Sequence, residues 1–334
     1  MTLPDAFKAL VVTENQDNQF IRSIEQKKID DLPEGDVVVQ VLYSSLNYKD
    51  ILSATGNRGV TRNFPHTPGI DAAGIVAASA NEAFKPGDEV IVTSYDLGMN
   101  TAGGFGQYIR VPAGWVVPQP QGLTAMEAMV YGTAGFTAAL SVWNMIESGV
   151  APDDGNVLVS GATGGVGSIA VSILSKLGHS VTAVNGVVDE TDYLTEIGAK
   201  KVIGIDEASD TSGRPLLKSL WAGGIDTVGG DILATTIKST NYGATVTCCG
   251  NVASADLPLN VYPFILRGVK LIGIDSQNCP MPLRKKIWQK IASEWKIAWL
   301  QTLTTEASFG ELNDKIELML QGKHIGRTIF KMTD

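Results

Sequence analysis

Short apolar segments separated by turn residues dominate the first third of the chain. They are FKALVV (7–12), GDVVVQVLYSSL (35–46), AAGIVAAS (72–79) and DEVIVTSY (88–95), and Pro, Gly or Asp stands between them. Segments of this length, rich in β-branched residues and bounded by turn residues, predict strands. The first third is therefore expected to form a small antiparallel, barrel-like domain.

The pattern changes near residue 125. Thr124 and Glu127 have the spacing of a helix-capping pair, a longer helix is expected from about Thr133, and apolar strands then alternate with helices up to Ser276. Such alternation predicts a doubly wound parallel sheet covered on both faces, the α/β class. The tail is too short for a domain of its own. We predict one domain of residues 1–125 completed by 277–334, and a second of residues 126–276.

Composition and charge narrow the class of protein. The 334 residues suit two domains, and 44% hydrophobic with 18% charged residues is typical of a folded protein. A net charge of −9 argues against binding to nucleic acid or to an anionic membrane. The three cysteines have no CxxC spacing, and the sequence shows neither a leader pattern nor a membrane-length apolar run. A reducing compartment, the cytoplasm, is expected.

The segment NVLVSGATGGVGSIAVSILSKLG (156–178) combines a buried-strand pattern, a glycine-rich turn and a helical pattern. Glycines at such a turn provide positive φ, close approach of the backbone to a pyrophosphate, and tight packing of the helix on the strand. We predict a dinucleotide site, since the Lys-Ser/Thr of an ATP loop is absent. A turn that only packs the helix is the alternative. The predicted contacts are Gly161, Thr163, Gly164, Gly165 and Val166.

The end of the second strand of this sheet bears on the choice of cofactor. NAD-dependent enzymes usually place Asp or Glu there, whereas this chain has Asn185 and Gly186. Lys200 or Lys201 would supply the charge for a 2′-phosphate, unless both lysines simply lie on a solvated face. The sequence therefore predicts NADPH over NADH.

Seven motifs follow one another along the chain: LNYKD (46–50), PHTPGIDAAGIV (65–76), GTAGFTAALSV (132–142), GATGGVG (161–167), IDTVGG (225–230), PFILRGVKLIGIDS (263–276) and GRTIFKM (326–332). In this order they resemble the medium-chain dehydrogenase/reductase superfamily, and more closely its acryloyl-CoA reductase branch (YhdH/AcuI type). The resemblance implies a GroES-like catalytic domain, a Rossmann domain, NADPH between them and a homodimer built through the Rossmann sheet. It also implies reduction of an activated carbon–carbon double bond.

Two departures from the superfamily affect the expected cofactors. Gly69, Ile70 and Asp71 stand where zinc-dependent relatives have Gly-His-Glu, so we predict no metal and a structural role for His66. Val187 stands where the branch usually carries an arginine for the 2′-phosphate. The preference for NADP then depends on Asn185 and Lys201.

The resemblance also implies where the chemistry occurs. Tyr48 lies where zinc relatives bind their metal through cysteine, so its hydroxyl is expected to donate to the substrate carbonyl or to supply the proton. A buried tyrosine with a satisfied hydroxyl is the alternative. Asn47 is expected to orient the nicotinamide ribose or the substrate, and Asp50 to fix the loop.

Further positions have both a ligand role and a structural alternative. Thr133 and Thr137 are expected beside the nicotinamide, or else cap the helix. The backbone of Ile265 and Leu266 is expected to hold the carboxamide. Arg267 and Arg327 are expected to meet a phosphate or a carboxylate at the domain interface, or else to form salt bridges. Arg58 and Arg62 are expected to bind the phosphates of CoA, or else to lie in a solvated loop.

The expected function is NADPH-dependent reduction of a short α,β-unsaturated acyl-CoA such as acryloyl-CoA. The same fold acting on quinones or enones is one alternative. A nucleotide-binding protein without turnover is another.

Overall fold

The computed structural model describes residues 3–186 and 190–333, and it groups the chain into two compact units. Unit 1 comprises Met1–Thr133, Gln277–Ala292 and Thr304–Asp334, and unit 2 comprises Ala134–Ser276 and Ser293–Leu303. The segment 293–303, which the sequence prediction assigns to the first domain, thus groups with unit 2.

Unit 1 is mostly antiparallel β structure. Strands β1 (Ala6–Glu14) and β2 (Phe20–Lys28) form a two-stranded sheet, and a larger sheet has the order β14-β15-β3-β4-β5-β7, with β6 also paired to β3. The strands of the larger sheet are β3 (Val37–Ser45), β4 (Asp71–Ser79), β5 (Glu89–Thr93), β6 (Tyr108–Val111), β7 (Val116–Pro118), β14 (Thr304–Ser308) and β15 (Arg327–Lys331). The helices of this unit are α1 (Tyr48–Ala54), α8 (Met281–Ala292) and α9 (Leu312–Leu320).

The core of unit 1 forms because alternate residues of its strands are apolar and point to one face. Val39, Val41, Val76 and Val92 are fully buried in it. The C-terminal strand β15 pairs with β3 in antiparallel register, with Ile329 opposite Ser45. The C-terminal tail therefore completes this unit and brings the start of β15 beside the end of β3.

Unit 2 is a parallel sheet with helices between its strands. Its order is β10-β9-β8-β11-β12-β13, which is the 3-2-1-4-5-6 order of dinucleotide-binding domains. The strands are β8 (Asn156–Val159), β9 (Ser180–Asn185), β10 (Lys201–Gly204), β11 (Trp221–Asp226), β12 (Thr240–Cys248) and β13 (Lys270–Gly273). The helices are α3 (Gly165–Lys176), α4 (Thr191–Glu196), α5 (Ile205–Ala208), α6 (Gly230–Lys238) and α7 (Tyr262–Arg267). The predicted architecture, a β-rich unit with a doubly wound parallel-sheet unit, is confirmed.

Helix α2 (Ala125–Glu147) runs through the boundary between the units. Thr124 and Glu127 form the predicted capping pair, with each backbone N–H donating to the other side chain at 2.9 and 3.2 Å. The helix is interrupted at Gly132, whose φ of 50° and ψ of −154° are not helical. In the part of the chain that the structure describes, no helix is both long and apolar enough to cross a membrane.

Candidate functional site

The start of α1 in unit 1 presents Tyr48, the predicted catalytic residue. Its side chain is 55% exposed, although Asn47 before it and Asp50 after it are buried. Among the described residues, its hydroxyl has no hydrogen-bond partner. Tyr48 is thus an exposed donor, which argues against the alternative of a buried, satisfied tyrosine.

Asp50 anchors this end of α1. One carboxylate oxygen accepts from the backbone N–H of Asn47 at 2.8 Å, and the other accepts from those of Gly69 and Ile70 at 3.1 and 2.8 Å. Burial, and next the nearby charge of Asp71, raise its pKa to about 7. The structural role expected for Asp50 is the one that the geometry supports.

Asp71, at the start of β4, lies in a buried polar cluster. Its carboxylate accepts from the hydroxyls of Ser45 and Thr133 at 2.6 Å each and from the amide of Asn47 at 2.8 Å. The guanidinium of Arg327 lies 3.9 Å away and compensates the charge. The sequence indicates for Asp71 only that it stands where zinc-dependent relatives have the glutamate of Gly-His-Glu, and it does not predict this role.

Two predicted ligand-binding residues are committed to that cluster. Arg327 is 2% exposed and donates to the carbonyls of Val130 and Leu46 and to the hydroxyl of Ser45, at 2.8 to 3.1 Å. The amide of Asn47 donates to Asp71 and accepts from Arg327 at 3.3 Å. In this structure Arg327 lies beside the carboxylate of Asp71, as in the salt-bridge alternative, and Asn47 has a structural task; a contact of either residue with a bound ligand stays a prediction.

Thr133 is committed as well. Its backbone N–H and its hydroxyl both donate to Asp71, and the hydroxyl also bonds that of Ser94 at 2.8 Å. These bonds to Asp71 and Ser94 are structural but are not the helix cap that the sequence offered as the alternative, and a contact of Thr133 with the nicotinamide stays a prediction.

The residues present do not fit a catalytic zinc ion. Ile70 offers no ligand, Asp71 is engaged as described, and the described residues hold no group of three His, Cys, Asp or Glu side chains that could bind a metal. Burial lowers the pKa of His66. The absence of zinc stays a prediction.

The two arginines of the 56–64 loop differ. Arg58 forms a 2.5 Å ion pair with Glu14, donates to the carbonyl of Arg62 at 2.6 Å, and lies over the rings of Phe20 and Phe64. Arg62 is exposed, and its guanidinium has no ion-pair partner in the described chain. Arg62 is thus the one of the pair that remains available to a ligand.

In unit 2 three glycines of the turn between β8 and α3 differ in backbone conformation and in the space around them. Gly161 has φ of 56°, where a side chain would also overlap the hydroxyl of Thr227. A side chain at Gly167 would overlap the carbonyl oxygen of Gly161. Gly164 has an ordinary φ of −77°, and a Cβ there would lie 3.3 Å from that oxygen. Gly161 and Gly167 are therefore required by the fold, whereas Gly164 is not required by its φ and an added Cβ there would make one close contact.

This turn lies between β8 and α3, where the N–H groups at the start of a helix can face an anion. Gly165 begins α3 and Gly164 is its N-cap, and the loop residue Thr163 with Val166 completes the predicted contacts. The arrangement fits a dinucleotide pyrophosphate.

Asp226, at the end of β11, is hydrogen-bonded to Ser160, the residue just before the glycine turn. It accepts from the hydroxyl of Ser160 at 2.7 Å and from the N–H of Gly229 at 2.8 Å, and Ser160 accepts in turn from the N–H of Thr227. Burial raises the pKa of Asp226. Sequence reasoning missed this support, although the motif IDTVGG contains it.

Asn185 and Lys201 are not brought together. Asn185 ends β9 beside Gly204, while Lys201 begins β10 beside Thr182. Asn185 and Lys201 are therefore offset by three residues along the strand direction, which is about 10 Å. Lys201 also forms a 2.6 Å ion pair with Glu207. This separation and ion pair argue against the expectation that Lys201 assists Asn185, which stays a prediction. Val187 lies outside the described residues.

The remaining predicted contacts lie on two other helices of unit 2. The hydroxyl of Thr137 donates to that of Ser276 at 2.7 Å. Ile265 and Leu266 on α7 are 67% and 57% exposed, so they contribute little to packing within this unit. Arg267 donates to the carbonyls of Lys238, Thr240 and Leu217, which makes it a structural residue.

Two family models match the chain. The alcohol dehydrogenase GroES-like domain matches residues 33–121, and the zinc-binding dehydrogenase model matches residues 165–293.

Relatives match over nearly the full length. YhfP of Bacillus subtilis, which carries the name of a quinone oxidoreductase, is 44% identical over 98% of this chain and 99% of its own. AcuI of Ruegeria pomeroyi, named an acrylyl-CoA reductase, is 42% identical over 97% of this chain and 98% of its own.

Solved structures agree. YhdH from Salmonella enterica in complex with NADP has a TM-score of 0.95 at 41% identity and covers 98% of this chain and 100% of its own. Bacillus subtilis yhfP with NAD bound has a TM-score of 0.96 at 43% identity with the same coverage.

Proposed function

Because the chain belongs to the YhdH/AcuI type of the medium-chain dehydrogenase/reductase superfamily of oxidoreductases, we propose that it reduces the double bond of a short α,β-unsaturated acyl-CoA with NADPH. Acryloyl-CoA, giving propanoyl-CoA, is the substrate we infer. The observation that carries this proposal is the 42% identity to an acrylyl-CoA reductase over almost the whole chain.

Tyr48 has the properties that the reaction requires of the protein. Reduced nicotinamide, when bound, supplies a hydride to the β-carbon, and charge then develops on the thioester oxygen. An exposed hydroxyl on a fixed helix start is suited to donate to that oxygen or to protonate the α-carbon. Removal of such a donor typically lowers the rate by about 10²–10³-fold.

Arg62 is our candidate for a contact with the phosphates of CoA. It is exposed and without an ion-pair partner among the described residues, whereas the guanidinium of Arg58 is held by Glu14. A contact to a remote part of the substrate contributes to binding more than to chemistry.

NADPH is the cofactor we propose. No carboxylate stands at Asn185 to repel a 2′-phosphate. Relatives have been crystallised with either cofactor, NADP in YhdH and NAD in yhfP. Steady-state kinetics with NADPH and NADH measures the cofactor preference.

We also propose that the enzyme works without zinc. Elemental analysis that finds stoichiometric zinc would overturn this.

The cytoplasm is the compartment we propose for this enzyme. The three cysteines, Cys248, Cys249 and Cys279, are free thiols, which suits a reducing compartment. Fractionation of the source cells that recovers the protein outside the cytoplasm would contradict this.

The test is steady-state oxidation of NADPH at equal concentrations of acryloyl-CoA and 1,4-benzoquinone. We expect kcat/KM for the thioester to reach about 10⁴ M⁻¹s⁻¹ or more and to exceed that for the quinone. Arg62→Ala should raise KM for acryloyl-CoA without changing kcat. Lys85→Ala removes an exposed positive charge of the same unit outside this loop and is the control, which should leave that KM near the wild-type value.

A quinone reductase is the second candidate, since YhfP, at 44% identity, carries that name. A strong quinone rate with no thioester rate would establish it and would leave Arg62 without a role. Turnover of neither acceptor would overturn both and favour a nucleotide-binding protein.

A further inference from the structure

The carboxylate of Asp71 joins segments that are far apart in sequence. One oxygen accepts from the hydroxyl of Ser45 at 2.6 Å and from the amide of Asn47 at 2.8 Å. The other accepts from the hydroxyl of Thr133 at 2.6 Å, and the backbone N–H of Thr133 lies 3.0 and 2.9 Å from the two oxygens. With donors on both oxygens, the carboxylate has one orientation.

An ionised carboxylate is the group that this site requires. All of its neighbours donate, so an amide would present an N–H to another donor. Ser45 accepts from Arg327 at 2.8 Å while it donates to Asp71, and so it links the two buried charges. The charge is therefore compensated without a direct short ion pair.

The backbone is shaped around this carboxylate. A side chain on Gly132 would overlap the Asp71 carboxylate and would lie 2.6 Å from the Ser45 hydroxyl. The interruption of α2 at Gly132 brings the N–H of Thr133 onto Asp71. Glycine is thus required here both by its φ of 50° and by the closeness of Asp71, Ser45 and Arg327.

The link from this cluster to the chemistry is the start of α1. Among the described residues nothing bonds the hydroxyl of Tyr48, so its place depends on the backbone that carries it. That backbone begins at Asn47, whose N–H donates to Asp50 and whose side chain is bound to Asp71. A shift of Asn47 would move the Tyr48 hydroxyl with it.

We propose that Asp71 is a positioning residue for the reduction: its carboxylate fixes Asn47 and Thr133 together and so holds the Tyr48 hydroxyl where the substrate carbonyl meets it. This inference rests on the proposed function, in which Tyr48 is the donor. Asp71 itself touches no substrate and acts through Tyr48.

Two adjacent serines of β3 provide a matched test. Both are fully buried, and both donate to Asp71: Ser45 to the carboxylate at 2.6 Å, Ser44 to the main-chain carbonyl at 2.7 Å. Ser45→Ala removes one of the donors that orient the carboxylate and also the hydroxyl that accepts from Arg327, whereas Ser44→Ala removes a bond to the main chain of Asp71 that does not orient the carboxylate. We expect Ser45→Ala to lower kcat about tenfold with KM for NADPH unchanged, and Ser44→Ala to change kcat less than about twofold.

The dependence on Tyr48 is tested by a double-mutant cycle. In the Tyr48→Phe background, Ser45→Ala should lower kcat by less than about twofold, because the group being positioned is gone. Asp71→Asn, if it folds, should behave as Ser45→Ala does. An equal loss in both backgrounds, or equal losses for the two serine variants, would overturn the proposal.

Failure of the substrate assignment remains distinguishable. The rates are measured with whichever acceptor the wild-type enzyme reduces, acryloyl-CoA or 1,4-benzoquinone, so a wrong substrate leaves the cycle intact. Tyr48→Phe without any effect on kcat would overturn both the role of Tyr48 and the positioning by Asp71.

Discussion

At the scale of single residues, Asn185 offers the sharpest test of cofactor choice. Asn185→Asp would place a carboxylate at the end of β9, where it can accept from ribose hydroxyls but repels a 2′-phosphate. We expect kcat/KM for NADPH to fall by about tenfold or more, while that for NADH holds or rises. Steady-state kinetics with both cofactors measures the change.

Lys201→Ala is the control, because Lys201 lies at the other end of its strand and pairs with Glu207. Its cofactor preference should match that of the wild type. If Lys201→Ala lost NADPH selectivity and Asn185→Asp kept it, the charge for the 2′-phosphate would come from the lysine after all.

The sequence predicts the surroundings of some single residues and not of others. The exposure of Tyr48 agrees with the role assigned to it from its motif. The commitment of Arg327 could not be foreseen, because its bond to Ser45 joins residues 282 positions apart. The same holds for Asn47 and Asp71, since motif spacing indicates which residues are near the site but not which of them bond each other.

At the scale of elements, the β8–α3 turn separates what the fold requires from what a ligand requires. Gly164→Ala keeps an ordinary φ, and its Cβ requires only a small shift of the Gly161 carbonyl oxygen 3.3 Å away, so we expect a small decrease in the thermal midpoint. A methyl group should nevertheless obstruct a pyrophosphate at close approach and raise KM for NADPH about tenfold. Gly167→Ala should destabilise the fold by about 1–3 kcal/mol through overlap with Gly161.

Thermal unfolding and NADPH titration of both variants distinguish these effects. A Gly164→Ala protein with wild-type cofactor affinity would mean that the turn only packs α3 on the sheet. That was the alternative left open by the sequence.

Most elements of the sheet could be predicted from hydrophobic patterning, and the exceptions have physical causes. Patterning predicts a strand over IDTVGG (225–230), whereas β11 runs over Trp221–Asp226. The start of this strand lacks the apolar pattern of a strand because it contains Gly223 and Gly224. A Cβ at Gly223 would lie 2.9 Å from the sulfur of Met145, and one at Gly224 would lie 2.8 Å from Thr236. Glycine is therefore used in this strand for close helix packing, which patterning cannot detect.

At the scale of the whole molecule, unit 2 has features of an interface. Strand β13 ends its sheet and, within the described chain, pairs only with β12. Seven large apolar side chains between residues 242 and 266 are exposed, Tyr242 the most at 83%. Open strand edges and exposed apolar surface of this kind favour association. We therefore propose the homodimer that the family implies, with β13 pairing with its copy.

Light scattering coupled to gel filtration tests this assembly. The wild-type protein should have twice the chain mass of 35.4 kDa, and Ile272→Lys on β13 should shift it towards the monomer, because a lysine on an edge strand opposes pairing. Ile24→Lys, on the exposed strand β2 of unit 1, is the matched control and should remain dimeric. A monomeric wild type, or a dimer lost with Ile24→Lys but kept with Ile272→Lys, would mean that the sheet edge does not form the contact.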